Sequence, residues 1–319
     1  MKTKKIVSIA LAVIMVVMAF ALCGCQVKEE GTYVVGIVQL AEHSALDAAT
    51  EGFQAALKEK LGDKVSFELK NAQGEQSNCA TIVDGFVNAN VDLIMANATN
   101  AVKAAREATD DIPVVGTSVT DYVSSGLVAS NDKPGANVTG ASDNNPVGVQ
   151  VELMKTLCPD VKTVGIVYCS GEENSKIQAD EAKTAFEKAG YTVKLYTVAD
   201  SNDIQPVVTK ACNEVDAFYE PTDNLIAANV PAMANITTTA GKPVIVGEES
   251  MCNAGFLATY SISYYDLGYN AGLMAYDILV NGKDPAEMPI YQFSTEDLTL
   301  IINEETAKAL GITIPDSLK

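Results

Sequence analysis

The polar side chains best placed to bind a ligand lie in short loops that directly follow predicted β-strands. These loops are rich in Ser, Thr, Asn, Asp and Glu, and they span residues 39–44, 97–100, 117–122, 169–174, 220–224 and 247–250. In an open parallel sheet, ligands bind beyond the carboxyl ends of the strands. We therefore expect the loops of two facing lobes to form one polar pocket.

The loops after the third and fourth predicted strands have the chemistry to hold a carboxylate. A helix start offers free N–H groups and the positive end of the helix dipole, and both attract an anion. We assign the carboxylate to Thr99, Ser118 and Thr120, with capping by Thr99 and a turn at Asp121 as the alternatives. The candidate residues of this group are Asn97, Ala98, Thr99, Ser118, Thr120 and Asp121.

Acidic side chains in the other loops could pair with an ammonium group, which would make the ligand a zwitterion. Either Asp143 or Asp223 is the candidate for that pairing. In a chain with 41 acidic residues most carboxylates must be solvated or cap helices, and Asp223 fits a cap equally well. The candidate residues of this group are Asp143, Glu172, Asp223, Asn224 and Glu248.

Four further residues complete the predicted ligand site: His43, Ser142, Tyr168 and Tyr260. His43 follows the first predicted strand and could donate to a ligand or cap the next helix. The two tyrosines lie near strand ends, where packing in the core or at a rim is the alternative to contact with a ligand. Because the chain has no tryptophan, any aromatic wall of the pocket must come from Tyr or Phe.

Charge and motif content argue against a nucleic-acid partner, a metal site and catalysis. The formal charge is −19, from 22 basic and 41 acidic residues, and the basic residues do not cluster. The chain has one histidine and a single arginine, Arg106, and it lacks the glycine-rich nucleotide motifs, the nucleophile elbow and the zinc-protease motif. We expect no enzyme activity, no metal and no cofactor; an enzyme on the same scaffold is the alternative.

Strands and helices alternate along the chain, which is typical of parallel doubly wound sheets. The stretch Thr139–Pro146, rich in turn and cap formers, is predicted as a crossover loop with Ser142 and Asp143 at the lip of a cleft. One helix is predicted over Asn224–Ala240. The predicted strands are Tyr33–Val38, Val65–Leu69, Leu93–Ala96, Pro113–Gly116, Thr163–Tyr168, Thr192–Tyr196, Ala217–Tyr219, Val244–Val246 and Phe256–Tyr260. The predicted fold class is α/β with two Rossmann-like, doubly wound lobes.

The first 25 residues have the pattern of a lipoprotein signal. Three lysines within Met1–Lys5 precede the uncharged apolar run Ile6–Leu22, and the sequence Leu-Cys-Gly-Cys then ends at Cys25. We predict a signal peptide over residues 1–24, acylation of Cys25 and a tether over 25–30, which would hold the protein on the outer face of the membrane. Because residues 1–24 hold three lysines and no acids, cleavage would change the formal charge from −19 to −22. A plain membrane anchor or a soluble secreted protein is the alternative.

Five cysteines remain outside that signal, an odd number without metal-ligand spacing. We expect them to be buried free thiols. They are Cys79, Cys158, Cys169, Cys212 and Cys252.

Several short motifs together resemble one protein family over about Tyr33 to Ser317. They are Glu42–Asp47, Ala98–Ala101, Val119–Asp121, Pro134–Gly140, Ser142–Asp143, Gln150–Leu153, Glu173–Ser175, Asp223–Asn224 and Leu310–Pro315. On these residues the chain resembles the tryptophan/tyrosine-type substrate-binding lipoproteins of ABC transporters, a branch of the periplasmic-binding-protein superfamily. It departs from the family pattern at Ser44, where proline is common, and at Asn100, where the family has Ala-Thr-Pro-Ala.

The resemblance implies a type I periplasmic-binding-protein fold with a three-segment hinge, no catalysis, and hand-off of a small ligand to a permease. We expect lobe 1 over residues 31–143 plus 261–290 and lobe 2 over 144–260 plus 291–319. The expected ligand is an aromatic amino acid, the partners are ABC permease subunits, the only membrane contact is the lipid anchor, and the protein is a monomer. A ligand-sensing receptor component and a binding protein for a nucleoside or another solute are the alternatives.

Overall fold

A computed structural model describes residues 31–318 of the chain. The predicted signal peptide, the acylated Cys25 and the tether lie outside the described residues. Within residues 31–318, no helix combines the length and the apolar character needed to cross a bilayer.

The described residues form two sheets, of which the first has six parallel strands in the order β11-β5-β4-β3-β1-β2. Helices connect most of the successive strands and cover both faces of the sheet, whereas residues 120–137 join β4 to β5 without a helix. The elements are β1 (Tyr33–Gln39), α1 (Ser44–Leu61), β2 (Val65–Asn71), α2 (Gln76–Ala89), β3 (Leu93–Asn97), α3 (Thr99–Ala108), β4 (Val114–Val119), β5 (Val138–Ser142), α10 (Tyr264–Asn281) and β11 (Tyr291–Gln292).

The second sheet has the order β12-β10-β9-β8-β6-β7 and is parallel except at its edge, where β12 runs antiparallel to β10. Its elements are α4 (Val147–Leu157), β6 (Thr163–Cys169), α5 (Glu173–Lys188), β7 (Thr192–Val198), α6 (Ser201–Cys212), β8 (Ala217–Glu220), α7 (Asn224–Ala227), α8 (Val230–Thr239), β9 (Val244–Val246), α9 (Glu249–Asn253), β10 (Ala258–Ser261), β12 (Thr299–Ile302) and α11 (Glu304–Leu310).

Each sheet is buried on both faces, which gives every lobe two apolar layers. In β3, Leu93 and Met95 face one cluster, while Ile94 and Ala96 face the other. Clusters on the two faces of the second sheet are built in the same way. The predicted α/β class with two doubly wound lobes is confirmed.

One predicted loop is a strand. The sequence predicts Thr139–Pro146 as a crossover loop, but Val138–Ser142 forms β5, all five residues of which are buried inside the first sheet. Gly140 has φ 153°, and a Cβ there would lie 2.1 Å from the carbonyl oxygen of Gly116. The small residues that resemble a loop are therefore required by close strand packing, and the crossover itself is confined to residues 143–146.

The predicted helix over Asn224–Ala240 is also corrected, because it is two helices, α7 and α8. The break falls at Ala228–Asn229, and Pro231 stands in the first turn of α8, where its missing N–H leaves no donor unpaired. β11, β12 and α11 lack a strong periodic pattern, and the sequence does not predict them.

Within residues 31–318, the chain passes between the two sheets three times. The passages are residues 143–146, residues 262–263 between β10 and α10, and residues 293–298 between β11 and β12. The expected lobe boundary at residue 290 falls two residues early, because β11 at Tyr291–Gln292 pairs with β5 in the first sheet.

The five cysteines outside the signal are free and buried, as predicted. Burial raises the pKa of the Cys158 and Cys252 thiols to about 12, so these thiols stay protonated and unreactive.

Helices α1 and α10 pack at very short distance because glycines stand at their contact. A Cβ on Gly268 would lie 1.8 Å from the carbonyl oxygen of Ala49, and one on Gly52 would lie 2.0 Å from that of Tyr265. Because the atoms that a Cβ would meet belong to the backbone, a change of side-chain rotamer could not relieve the clash. The contact therefore requires glycine on both helices.

We predict that Gly268→Ala lowers the free energy of unfolding by about 1–3 kcal/mol, because the two helices must separate to admit a methyl group. Denaturant unfolding measures the change. Gly85→Ala is the matched control, since Gly85 lies in α2 where an added Cβ would meet no atom within 4 Å, and alanine there should stabilise by about 0.5–1 kcal/mol. Equal effects at both positions would contradict a role for close helix packing at Gly268.

Candidate functional site

A small cavity lies between the two lobes, beyond the carboxyl ends of the strands. Its volume is about 10 Å³, the space of about one water molecule. Its wall contains three carboxylates and one imidazole but neither lysine nor arginine. The lining residues are His43, Ala45, Leu46, Ser118, Asp143, Thr222, Asp223, Asn224, Ala227, Glu248 and Tyr264.

Six of the fifteen predicted ligand residues line this cavity. They are His43, Ser118, Asp143, Asp223, Asn224 and Glu248. Thr222 and Tyr264 also line it and are absent from the predicted set, although Thr222 lies in a predicted post-strand loop. The aliphatic residues Ala45, Leu46 and Ala227 belong to helices and carry no polar signal by which they could have been found.

Two of the lining acids cap helices in lobe 2. Asp223 is the N-cap of α7: its Oδ1 accepts from the Ile226 N–H at 2.9 Å and its Oδ2 from the Cys169 N–H at 2.6 Å. Glu248 caps α9 by accepting from the N–H groups of Ser250 and Met251. Burial raises the pKa of Glu248 to about 7 and also raises that of Asp223, while these N–H donors oppose the increase. Both carboxylates therefore have most of their hydrogen-bond capacity in use.

Asp143 differs from these caps because one of its oxygens has no partner. The Tyr264 hydroxyl donates to Oδ2 at 2.7 Å, whereas Oδ1 is buried without a hydrogen bond among the described residues. Burial raises the pKa of Asp143 from 3.8 to about 6, while the Tyr264 hydroxyl, the nearby Thr120 hydroxyl and the N–H of Asp143 oppose that increase. Burial and the neighbouring Asp143 raise the pKa of Tyr264 well above its ordinary value.

Ser118 and Ala98 hold strained backbone at the cavity end of lobe 1. Ser118 has φ 56° and Ala98 has φ 91°, values that residues other than glycine rarely adopt. The Ser118 Oγ and the Thr99 Oγ1 are buried without a hydrogen-bond partner among residues 31–318. Such strain and unpaired groups concentrate at ligand sites.

The N-cap side chains of helices that begin near the cavity differ between the two lobes. In lobe 1 the N-cap residues of α1 and α3 are His43 and Ala98, and neither side chain caps its helix. In lobe 2, Asp223 and Glu248 do so. The first N–H groups of α1 and α3 thus receive no acceptor from their N-cap side chains.

Glu172, Asn224 and His43 form a chain of hydrogen bonds across the lobes. Glu172 accepts the N–H groups of Asn224 at 3.0 Å and Leu225 at 2.9 Å, and the Asn224 Nδ2 donates to it at 2.6 Å. On its other side, the Asn224 Oδ1 lies 3.2 Å from the His43 Nε2. Burial and Asp223 raise the pKa of Glu172, while burial lowers that of His43.

A second bridge between the lobes uses Gln178, which is not among the predicted residues. Its Nε2 donates to the hydroxyls of Thr120 at 2.9 Å and Thr222 at 2.7 Å, and its Oε1 accepts the Thr222 N–H. All three side chains are buried. Thr120, predicted to hold a carboxylate, thus lies in a lobe–lobe contact here.

The remaining predicted ligand residues do not line the small cavity. Asn97 donates to the Leu46 carbonyl and the Thr50 hydroxyl, Ser142 donates to the Thr120 carbonyl, and Asp121 accepts from Val123 and Ser124 in a turn. Tyr168 and Tyr260 are half-buried at the edge of an apolar cluster of lobe 2. Their roles in ligand binding stay predictions.

A larger cavity of about 530 Å³ lies on the other side of Asn224, which lines both spaces. Glu172 lines the larger cavity. Its other walls come from residues 40–42, 73–76 and 100 of lobe 1 and from residues 169, 171, 199–201, 225 and 228–229 of lobe 2. Asn224 is therefore part of the wall of both cavities.

No group of three or more metal-ligating side chains suited to an ion occurs in residues 31–318. Glu220, at the end of β8, is fully buried and both of its oxygens lack a partner among the described residues. Burial and the neighbouring Asp223 raise the pKa of Glu220 well above its ordinary value.

The chain matches the family of ABC transporter substrate binding proteins over residues 34–319. It is 38% identical over 281 residues, 87% of this chain and 81% of the relative, to the tyrosine-binding protein of Clostridioides difficile. The ABC domain from Streptococcus pneumonia in complex with L-Trp superposes with a TM-score of 0.86 at 39% identity, covering 90% of this chain and 97% of that one.

A third comparison bears on the arrangement of the lobes. The ligand-free, open structure of a substrate binding protein with adhesive properties from Clostridium difficile is 38% identical and covers 89% of this chain and 97% of its own. Its TM-score is only 0.68. Identity and coverage are nearly those of the L-Trp complex, so the lower score fits a lobe arrangement that differs from the one in this chain.

Solved structures below 20% identity, including an inositol-bound solute binding protein, share the type I periplasmic-binding-protein fold. Neither the family nor the relatives at 38–39% identity are enzymes: they bind solutes. By the match over its described length and by those relatives, this chain belongs to the ABC transporter substrate-binding protein family.

Proposed function

We propose that this protein captures an aromatic amino acid between its lobes and delivers it to an ABC importer. The observation that carries the proposal is a set of buried, unpaired polar atoms around one interlobe cavity: the Asp143 Oδ1, the Ser118 Oγ and the His43 Nδ1. A buried polar group without a partner costs stability, so a ligand that pairs with these atoms gains affinity. The relatives named for tyrosine binding and solved with L-Trp support the choice of ligand.

In this proposal the ligand ammonium pairs with Asp143. Of the two acids that the sequence leaves open, Asp223 already accepts two backbone N–H groups, whereas Asp143 has a free oxygen. No lysine or arginine lines the cavity, so the ammonium group would supply the missing positive charge.

The ligand carboxylate belongs on lobe 1, away from the capping acids of lobe 2. Uncapped helix starts at α1 and α3 offer N–H groups, and the Ser118 hydroxyl is unpaired. Such donors can bind one carboxylate without an arginine. The aromatic side chain would then lie among Leu46, Ala227 and Tyr264.

The cavity has the volume of about one water molecule, so the lobes must move apart from this arrangement to admit an aromatic amino acid. Contacts to both lobes exist only when they are closed, so the ligand shifts the open–closed equilibrium towards closure. The bridge from Gln178 to Thr120 and the bond from His43 to Asn224 would form at the same step.

Substrate-binding proteins of ABC importers are extracytoplasmic, which agrees with the amino-terminal pattern of the sequence. We propose that acylated Cys25 anchors the protein to the outer face of the membrane as a monomer. The permease subunits of the importer would be its protein partners.

A thermal-shift screen of the purified protein against the twenty amino acids, nucleosides and sugars tests the function. We expect Tyr, Phe or Trp to raise the melting temperature, since a ligand at 100 times its Kd stabilises by about 2.7 kcal/mol. A shift with a nucleoside or a sugar, and none with any amino acid, would overturn the proposed ligand.

We predict that Asp143→Asn weakens binding of the aromatic amino acid at least about tenfold, by removing a charged hydrogen bond. The same change should stabilise the ligand-free protein. Because folding raises the pKa of Asp143 from 3.8 to about 6, ionising it costs stability above that pH, by up to about 3 kcal/mol. Titration calorimetry and denaturant unfolding at pH 7.5 measure the two effects. Unchanged affinity would contradict the ammonium assignment.

Affinity should also fall as the pH falls through about 6, because the ammonium group pairs only with ionised Asp143. Well below that pKa, Kd should rise about tenfold per pH unit. Titration calorimetry between pH 4.5 and 8 measures this dependence. The Asp143→Asn variant should lose this part of the pH dependence, and a wild-type affinity that stays constant down to pH 4.5 would refute the pairing.

A further inference from the structure

The hydrogen bonds around Asn224 determine which ring nitrogen of His43 is protonated. Both oxygens of Glu172 accept backbone N–H groups, which favours the ionised carboxylate, while burial raises its pKa to about 8, so Glu172 is ionised above that pH. An ionised carboxylate can only accept, so the Asn224 amide must turn its Nδ2 towards Glu172, at 2.6 Å, and its Oδ1 towards His43. Because that oxygen is also an acceptor, the His43 Nε2 must be the donor of the 3.2 Å bond.

The second ring nitrogen of His43 is consequently an acceptor. Burial lowers the pKa of His43, which favours the neutral ring, and a neutral ring protonated on Nε2 has a lone pair on Nδ1. The Nδ1 atom is enclosed and has no hydrogen-bond partner among the described residues, and His43 lines the cavity between the lobes. A ligand must therefore bring a donor to this atom or leave it unpaired.

We propose that His43 is a specificity-determining residue that accepts a hydrogen bond from the ligand side chain, with Glu172 and Asn224 as positioning residues. The inference rests on the proposed function and names the ligand more closely. Tyrosine offers a phenol O–H and tryptophan an indole N–H, whereas phenylalanine offers no donor. The ammonium group is not the donor in this scheme, because Asp143 holds it.

The consequence is discrimination against phenylalanine. Phenylalanine fits any space that tyrosine fits, so shape alone cannot exclude it. A site built to pair with a ligand hydroxyl, by contrast, rejects the analogue that lacks it, because a buried group is left unpaired. We expect phenylalanine to bind at least about tenfold more weakly than tyrosine or tryptophan.

Titration calorimetry with matched ligands tests this discrimination. L-Phe and O-methyl-L-tyrosine lack the phenol donor, and 1-methyl-L-tryptophan lacks the indole donor, so each should bind at least about tenfold more weakly than its parent. In His43→Leu the ratio of the Phe and Tyr dissociation constants should fall to about one. Gly85→Ala, on an exposed face of α2, is the control and should keep the wild-type ratio.

The protonated nitrogen can be observed directly, because His43 is the only histidine of the chain. Nitrogen-15 NMR at a pH above 8, where Glu172 is ionised, should show the proton on Nε2. The Glu172→Gln change lets the Asn224 amide turn over, so the Nδ1–H tautomer should become populated and the preference for tyrosine should fall.

Different experimental results would overturn the proposed function and the proposed role of His43. Binding of no aromatic amino acid would overturn the proposed function and this inference with it. If tyrosine and phenylalanine bind equally tightly, the function stands and the role of His43 is wrong. A wild-type proton on Nδ1 would also overturn the inference, whatever the affinities.

Discussion

The cleft is shaped by the hydrogen-bond requirements of helix starts. In both sheets the parallel strands end towards the cleft, and the helices that follow begin there with N–H groups that have no partner inside the helix. Lobe 2 supplies carboxylates as caps, whereas lobe 1 leaves the starts of α1 and α3 without acceptors from their N-cap side chains. One face of the cleft is thus satisfied and acidic, and the other is a set of donors. A zwitterion suits this cleft, because its carboxylate would meet the donors of lobe 1 and its ammonium group would meet Asp143.

The acidic face is maintained at a cost to stability. Burial raises the pKa values of Asp143 and Glu248, and Glu220 is buried without any partner among the described residues. No lysine or arginine lines the cavity to offset these charges. A cationic group on the ligand would offset the buried negative charge. The same electrostatic attraction would then favour both ligand binding and closure of the lobes.

The periodicity of the sequence predicts most of the fold, but it does not identify the residues of the site. Alternating apolar runs and helical spacing predict the doubly wound lobes, yet the Thr, Gly and Ser of β5 resemble turn formers and predict a loop in its place. Loop position predicts that His43, Ser118 and Asp143 approach one another. It cannot separate Asp223 and Glu248, which cap helices, from Asp143, which has a free oxygen, because that difference depends on bonds formed after folding. Gln178 reaches the cleft from within a helix and gives no local signal, whereas Tyr264 lies just after a strand end, as several other tyrosines do.

The glycine contact between α1 and α10 has a consequence for the order in which the lobes form. These helices are neighbours in space, but α10 begins about 200 residues after α1 ends. A chain emerging during synthesis therefore exposes the apolar face of α1 until α10 and β11 have been made. Lobe 2, in contrast, has its described strands and α-helices in one uninterrupted stretch from α4 to β10, with β12 and α11 alone following later. Both lobes are thus completed only near the end of synthesis, but lobe 1 waits for a helix of its core, whereas lobe 2 waits only for an edge strand and the helix that follows it.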